Sequence, residues 1–231
     1  MFERYSIGST ANQLADFYSV DVPSYYKPNY NAGPTHLLPV ITHHNPEGIS
    51  FFYWGAIPSW VNNKNVSEKL INVRGETIPD KSTFRKKMMR YRCLVPADGF
   101  YAWKKISKRA AIPYRFFAKD KSLLTFAGLW EEFEDEEGET HHTFSIITVQ
   151  SNGQVVTVNE RMPALLDKQG EKVWLNKESS EKELLDALRP KTIELENHTV
   201  SPRIASLDAN DASLILPSAP ADQHGNLTLF D

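Results

Sequence analysis

The residues with chemistry to offer gather in one stretch, Arg90-Tyr-Arg-Cys-Leu-Val-Pro-Ala-Asp-Gly-Phe-Tyr-Ala-Trp103. It holds the chain's one thiol, Cys93, an acid at Asp98, and the aromatic cluster Phe100, Tyr101 and Trp103. Between Lys81 and Arg109 there are ten Lys or Arg and one acid, so this span is strongly positive although the whole chain carries −3. Cations interleaved with aromatics suit phosphates and unpaired bases, because the charge releases counterions from a phosphate backbone and a flat ring stacks on any base. Cys93 lies inside an apolar run, which favours a buried structural thiol over a nucleophile. His141 and His142 are adjacent on a strand-like run and point to opposite faces, so they cannot share a metal. No metal and no cofactor is expected.

These residues need elements to hold them. The run through Leu94 and Val95 reads as a buried strand closed by Pro96, and Asp98-Gly99 as a sharp turn presenting the aromatics at a pocket. Thr83 to Arg90 reads as a helix with Phe84 and Met88 inward and Arg85, Lys86 and Lys87 outward, a candidate phosphate track beside that pocket. Ile49 to Trp54 is a strand, and beyond Pro58 the loop residue Trp60 is a candidate for stacking on a base, whereas Trp54 fits the core. A polar helix-like stretch, 62–70, follows. Ile112 to Phe116, Leu123 to Trp130 and Thr143 to Val149 are further strands, and seven acids with no base over 131–139 mark a solvated hairpin tip. Ser179-Ser-Glu-Lys-Glu reads as a capped helix start, and the Asp-, Ser- and Pro-rich residues 209–226 as a loosely ordered tail.

At 231 residues, 41% apolar and 24% charged, the chain suits one domain over 1–231 with a sizeable core. A single cysteine excludes a disulfide framework and fits a reducing compartment. No run approaches the ~20 apolar residues of a membrane span. The expectation is a cytoplasmic monomer without a membrane partner.

The stretch Arg92-Cys-Leu-Val-Pro-Ala-Asp-Gly-Phe-Tyr-Ala-Trp103 closely resembles the signature of the SRAP family, the SOS-response-associated peptidases that crosslink abasic sites. Further blocks match in order: Trp54-Gly-Ala-Ile-Pro-Ser-Trp60, Asn72-Val-Arg-Gly-Glu-Thr77, Tyr30-Asn-Ala-Gly-Pro-Thr35, Phe126-Ala-Gly-Leu-Trp-Glu131 and Arg161-Met-Pro163. The resemblance covers about Tyr30 to Leu166. It implies an α+β fold, mainly antiparallel strands curled into a barrel-like sheet with peripheral helices, and strands ending near Tyr53, Val95 and Val149 beside the pocket. It also implies a partner, single-stranded or abasic-site DNA, with Asn72 lining the sugar pocket and Arg74 on the DNA backbone. Arg4 and Arg161 match family arginines and complete the expected DNA-binding set with Trp60, Arg74, Arg85, Lys86 and Lys87.

Three family positions depart from the pattern. Members begin Met-Cys-Gly-Arg, and the Cys, freed at its amine, captures the abasic aldehyde as a thiazolidine; this chain begins Met1-Phe2-Glu3-Arg4. Phe2 has no thiol, and its size disfavours removal of Met1. Where the family signature has Glu, expected to pass protons during Schiff-base chemistry, this chain has Ala102, which can neither give nor take one. Where the family has His two residues before the Arg of its Arg-Met-Pro block, this chain has Asn159, which does not titrate near neutral pH. Of the four chemical positions, Asn72 alone survives. The expected function is therefore DNA binding without a covalent bond. The alternative is an active member that crosslinks abasic DNA and clips its own terminus, and a weaker third is a scaffold holding a protein or small ligand in the old pocket.

Overall fold

The structure is a computed structural model, described here for residues 2–55, 71–134, 138–191, 193–222 and 224–227. In chain order its strands are β1 (Tyr5–Ile7), β2 (Asn29–Ala32), β3 (Leu37–Thr42), β4 (Asn45–Trp54), β5 (Asn72–Arg74), β6 (Arg92–Ala97), β7 (Gly99–Lys105), β8 (Ala111–Ala118), β9 (Leu124–Glu134), β10 (Thr140–Gln150), β11 (Arg161–Pro163), β12 (Leu165–Leu166) and β13 (Leu195–Thr199). The helices are α1 (Ala11–Tyr18), α2 (Ser82–Arg90), α3 (Lys168–Leu175) and α4 (Glu181–Ala187). The expected strands appear as β4, β6, β8, β9 and β10, where β-branched and aromatic residues with turn signals between them dominate; β1, β2, β3, β5, β7 and β11 to β13 go beyond that expectation.

β4, β3, β6, β9 and β10 pair in succession, and β10 returns to β4, which closes a five-stranded barrel. The closing ladder is parallel, Thr143 opposite Tyr53, while the other barrel ladders are antiparallel. A second sheet runs β13-β8-β7-β1-β2. One apolar cluster fills the space that both sheets face, with Trp54, Phe100, Phe116, Phe126 and Phe144 in it. The mainly antiparallel, barrel-like α+β architecture is as expected.

Two expectations change. Asp98-Gly99, expected as a sharp turn presenting the aromatics at a pocket, is where the chain crosses from the barrel strand β6 to β7 of the second sheet, and Phe100 and Tyr101 are buried. A Cβ at Gly99 would lie 2.8 Å from the Arg115 guanidinium, so a larger residue there would displace Arg115 from Asp98. Residues 209–226, expected as a loose tail, include a docked segment instead. Asn31 Nδ2 donates to the carbonyls of Ser206 and Ala209, the Tyr30 N–H donates to Asn210 Oδ1, and Leu214 is buried with Tyr101, Val200 and Ile204. A polar composition concealed one well-placed leucine. Trp60, the 62–70 stretch and residues 135–137 of the acidic tip lie outside the described residues.

Local signals explain the helix starts. Ser180 caps α4 in a reciprocal box with Glu183, and Thr10 does the same for α1 with Gln13. Arg92 ties helices to the barrel. Its fully buried guanidinium donates to the carbonyls of Met88 and Met89 at the end of α2, and of Trp174 and Asn176 at the end of α3. One fixed positive charge thus meets the partial negative ends of two helices.

Candidate functional site

β10 brings the site together. Along its far half Ile146 pairs with Asn72 and Thr148 with Arg74 in β5, while Gln150 pairs with Arg161 in β11. Arg161 is far in sequence from Asn72 and Arg74, yet a single strand holds all three within a few residues of Thr148.

They open onto a cleft of about 700 Å³. Asn72, Arg74 and Thr148 form one wall, Trp103, Lys104 and Lys105 of β7 another, and Asn159 and Arg161 a third, with Phe2 and Glu3 at the base. Four cations line it against two carboxylates, Glu3 and Glu160, so the cleft is positive in a chain of negative net charge. Asn159 Oδ1 accepts from the Arg161 N–H at 3.2 Å, which orients its carboxamide. Arg161 is gripped in turn: Nη1 and Nη2 donate to Glu76 at 2.7 and 2.9 Å, and Nη2 also donates to the Thr148 carbonyl. That pairing holds the Glu76 carboxyl below its ordinary pKa. Glu76 is thus taken up by Arg161, and Arg74 stays exposed at the rim.

Phe2 is 2% exposed and its ring packs against Trp54, Phe100 and Phe126 at centroid distances of 5.7, 6.0 and 5.9 Å. Asn72 Nδ2 donates to the Phe2 carbonyl, while Asn72 Oδ1 is buried without a hydrogen-bond partner among the described residues. Ala102 is also 2% exposed and belongs to the same apolar cluster as Phe2. At both positions, where the resemblance implied a thiol and a carboxylate, the side chain is an aromatic ring or a methyl group of the core.

The N-terminal strand is clamped from below. Ser6 Oγ and the Gly8 N–H both donate to the Asp98 carboxylate at 2.5 Å, and Arg115 Nη2 donates to Asp98 Oδ1 at 2.9 Å. With the Tyr5–Phe100 and Ser6–Gly99 pairing, this fixes β1 and therefore Phe2 at the cleft base.

The remaining expected residues fall elsewhere. Arg4 is half-buried against Gly33, donates to the Glu3 carbonyl, and has its pKa lowered by burial. Arg85, Lys86 and Lys87 do not line the cleft; α2 packs on the outside of β6 and β9, and Lys87 pairs with Glu131. The expectation put that basic helix beside the pocket, but β6, a wall strand of the barrel between β3 and β9, separates α2 from the site, which the chain reaches only in β7. Val95 is fully buried in the core and does not border the cleft, whereas β10 does so through Thr148. Cys93 is buried and its pKa is raised by burial. No cluster of His, Cys, Asp and Glu fit for a metal exists among the described residues. Sequence reasoning missed Lys104 and Lys105 as site residues; the signal was a basic pair directly after the strand aromatic Trp103.

Comparison with known proteins accords with this geometry. The sequence model described as "SOS response associated peptidase (SRAP)" matches residues 1–207. The abasic site processing protein YoqW of Bacillus subtilis is 33% identical over 221 residues, 93% of this chain and 99% of that protein. The abasic site processing protein HMCES of Xenopus tropicalis is 30% identical over 209 residues, 77% of this chain and 61% of that one. A crystal structure of a protein from Bacteroides thetaiotaomicron superposes with a TM-score of 0.81 at 27% identity, covering 93% of this chain and 99% of that chain.

Proposed function

The chain belongs to the SRAP family, and from that premise we propose that it binds single-stranded or abasic-site DNA in the β5–β7–β11 cleft, in response to DNA damage, without forming a covalent bond. The observation that carries the non-covalent half is the burial of the Phe2 ring between Trp54, Phe100 and Phe126. The position that would present an aminothiol is built into the core, and Ala102, in the same apolar cluster, offers no proton-transfer group. What remains suits recognition. Asn72 and Asn159 supply amide donors and acceptors for a sugar, Trp103 an aromatic edge, and Arg74 an exposed cation for the backbone. The names of the relatives, abasic site processing proteins, support the choice of ligand.

A thiazolidine requires an amine and a thiol on adjacent carbons, and the sequence's one thiol, Cys93, is buried in β6. An amine alone condenses with the abasic aldehyde to an imine and water, and the imine returns by hydrolysis unless borohydride reduces it. Incubation with abasic single-stranded DNA followed by a denaturing gel is the test. Shifted DNA in a native assay with no crosslink on the denaturing gel, except after borohydride, is the expected outcome. A crosslink that survives denaturation without reduction would restore the active-enzyme reading.

A further inference from the structure

The hairpin of β7 and β8 continues one wall of the cleft beyond it. Lys104 and Lys105 line the cleft, and the chain then turns through residues 106–110, closed by the Ile106 and Ser107 N–H groups donating to the Ala110 carbonyl at 3.0 and 3.1 Å. Lys105, Lys108 and Arg109 are exposed. From Gly99 to Lys119 the sequence has six cations and no acid, and of these Arg115 is turned inward to Asp98. A strand advances about 3.3 Å per residue, so Lys105 and the tip can reach phosphates lying beyond the cleft mouth. The rival basic element, α2, differs in its surroundings. It sits beside Glu131 at the acidic end of β9, where Glu131, Glu132 and Glu134 oppose an approaching phosphate, and none of its residues reaches the cleft.

We propose that this hairpin is the track along which the backbone of a single DNA strand leaves the cleft, with Lys104 and Lys105 as the first phosphate contacts and Lys108 and Arg109 as the next. The proposal rests on the reading of the cleft as a DNA site and adds the direction the strand takes. Phosphate contacts are counted by salt dependence, since for a single strand the log–log slope of affinity against salt is about 0.7 per contact.

The test uses the full chain and two labelled oligothymidylates, one of about 4 nucleotides and one of about 15, spanning the small site sizes of single-strand binders and a longer reach. Lys104→Gln with Lys105→Gln should lower the slope by about 1.4, two contacts at about 0.7 each, and weaken both oligonucleotides. Lys108→Gln with Arg109→Gln, at an exposed turn, should weaken the longer one and leave the shorter unchanged. Arg85→Gln with Lys86→Gln on α2 should alter neither. Unchanged slopes in both hairpin variants, or a loss confined to the α2 variant, would overturn the track while leaving DNA binding in place. If the native chain binds neither oligonucleotide, the DNA reading itself falls and the track with it.

Discussion

At position 2 a phenyl ring occupies the heart of the core, and its chemistry is inseparable from its packing. Truncating a buried aromatic costs about 3–5 kcal/mol, and Phe2 touches Trp54, Phe100 and Phe126. Phe2→Cys should therefore destabilise the fold by about 3 kcal/mol in denaturant unfolding while restoring an aminothiol once Met1 is removed. Ala102→Glu in the native background buries a carboxylate at a 2% exposed position and should also destabilise. His43 provides a pH handle. Burial, aided by the Arg92 charge, pushes its pKa down to about 4 from an ordinary 6.5. The folded state holds His43 neutral and the unfolded state takes up the proton first. Its contribution to stability is thus complete above about pH 6.5, declines as pH falls toward about 4, and changes no further below that. His43→Gln should flatten that part of the unfolding midpoint's pH profile.

At the scale of elements, two junctions decide where the site stands. Asp98 joins the barrel to the second sheet, receiving Ser6, Gly8 and Arg115, so the strand that carries Phe2 is anchored where the chain crosses between sheets. Arg92 does the same for the helices with four backbone carbonyls around one guanidinium. A lysine has three donors on one nitrogen and cannot span that fork, so Arg92→Lys leaves buried carbonyls unpaired at about 1–3 kcal/mol each. The expected result is a loss of about 3 kcal/mol or more, with faster amide exchange at the ends of α2 and α3 than in the barrel strands. Uniformly faster exchange across the molecule would argue that Arg92 supports the core and not the helix ends specifically.

Over the whole molecule, charge is arranged against the net. The chain is at −3, yet the cleft and its hairpin are positive, while acids collect in the Glu131–Glu134 end of β9. Among the described residues no helix is long and apolar enough to cross a membrane. Much of this was legible in the sequence by itself. Strand positions followed from β-branched and aromatic runs, the α4 start from Ser180 and Glu183, and the absence of thiol, carboxylate and imidazole from the residue types at positions 2, 102 and 159, since no fold can give those side chains groups they lack. The tertiary structure decided what depends on strand pairing. Which basic segment meets the cleft was decided by β6 taking its place in the barrel wall between β3 and β9 before β7 reaches the site, which leaves α2 outside and brings Lys104 and Lys105 in. That Arg161 pairs with Glu76 was decided by β5 and β11 lying along the same strand, β10. That Phe2 is a core residue was decided by the registry of β1 on β7, because a ring beside a chain terminus carries no local signal of the cavity it will fill.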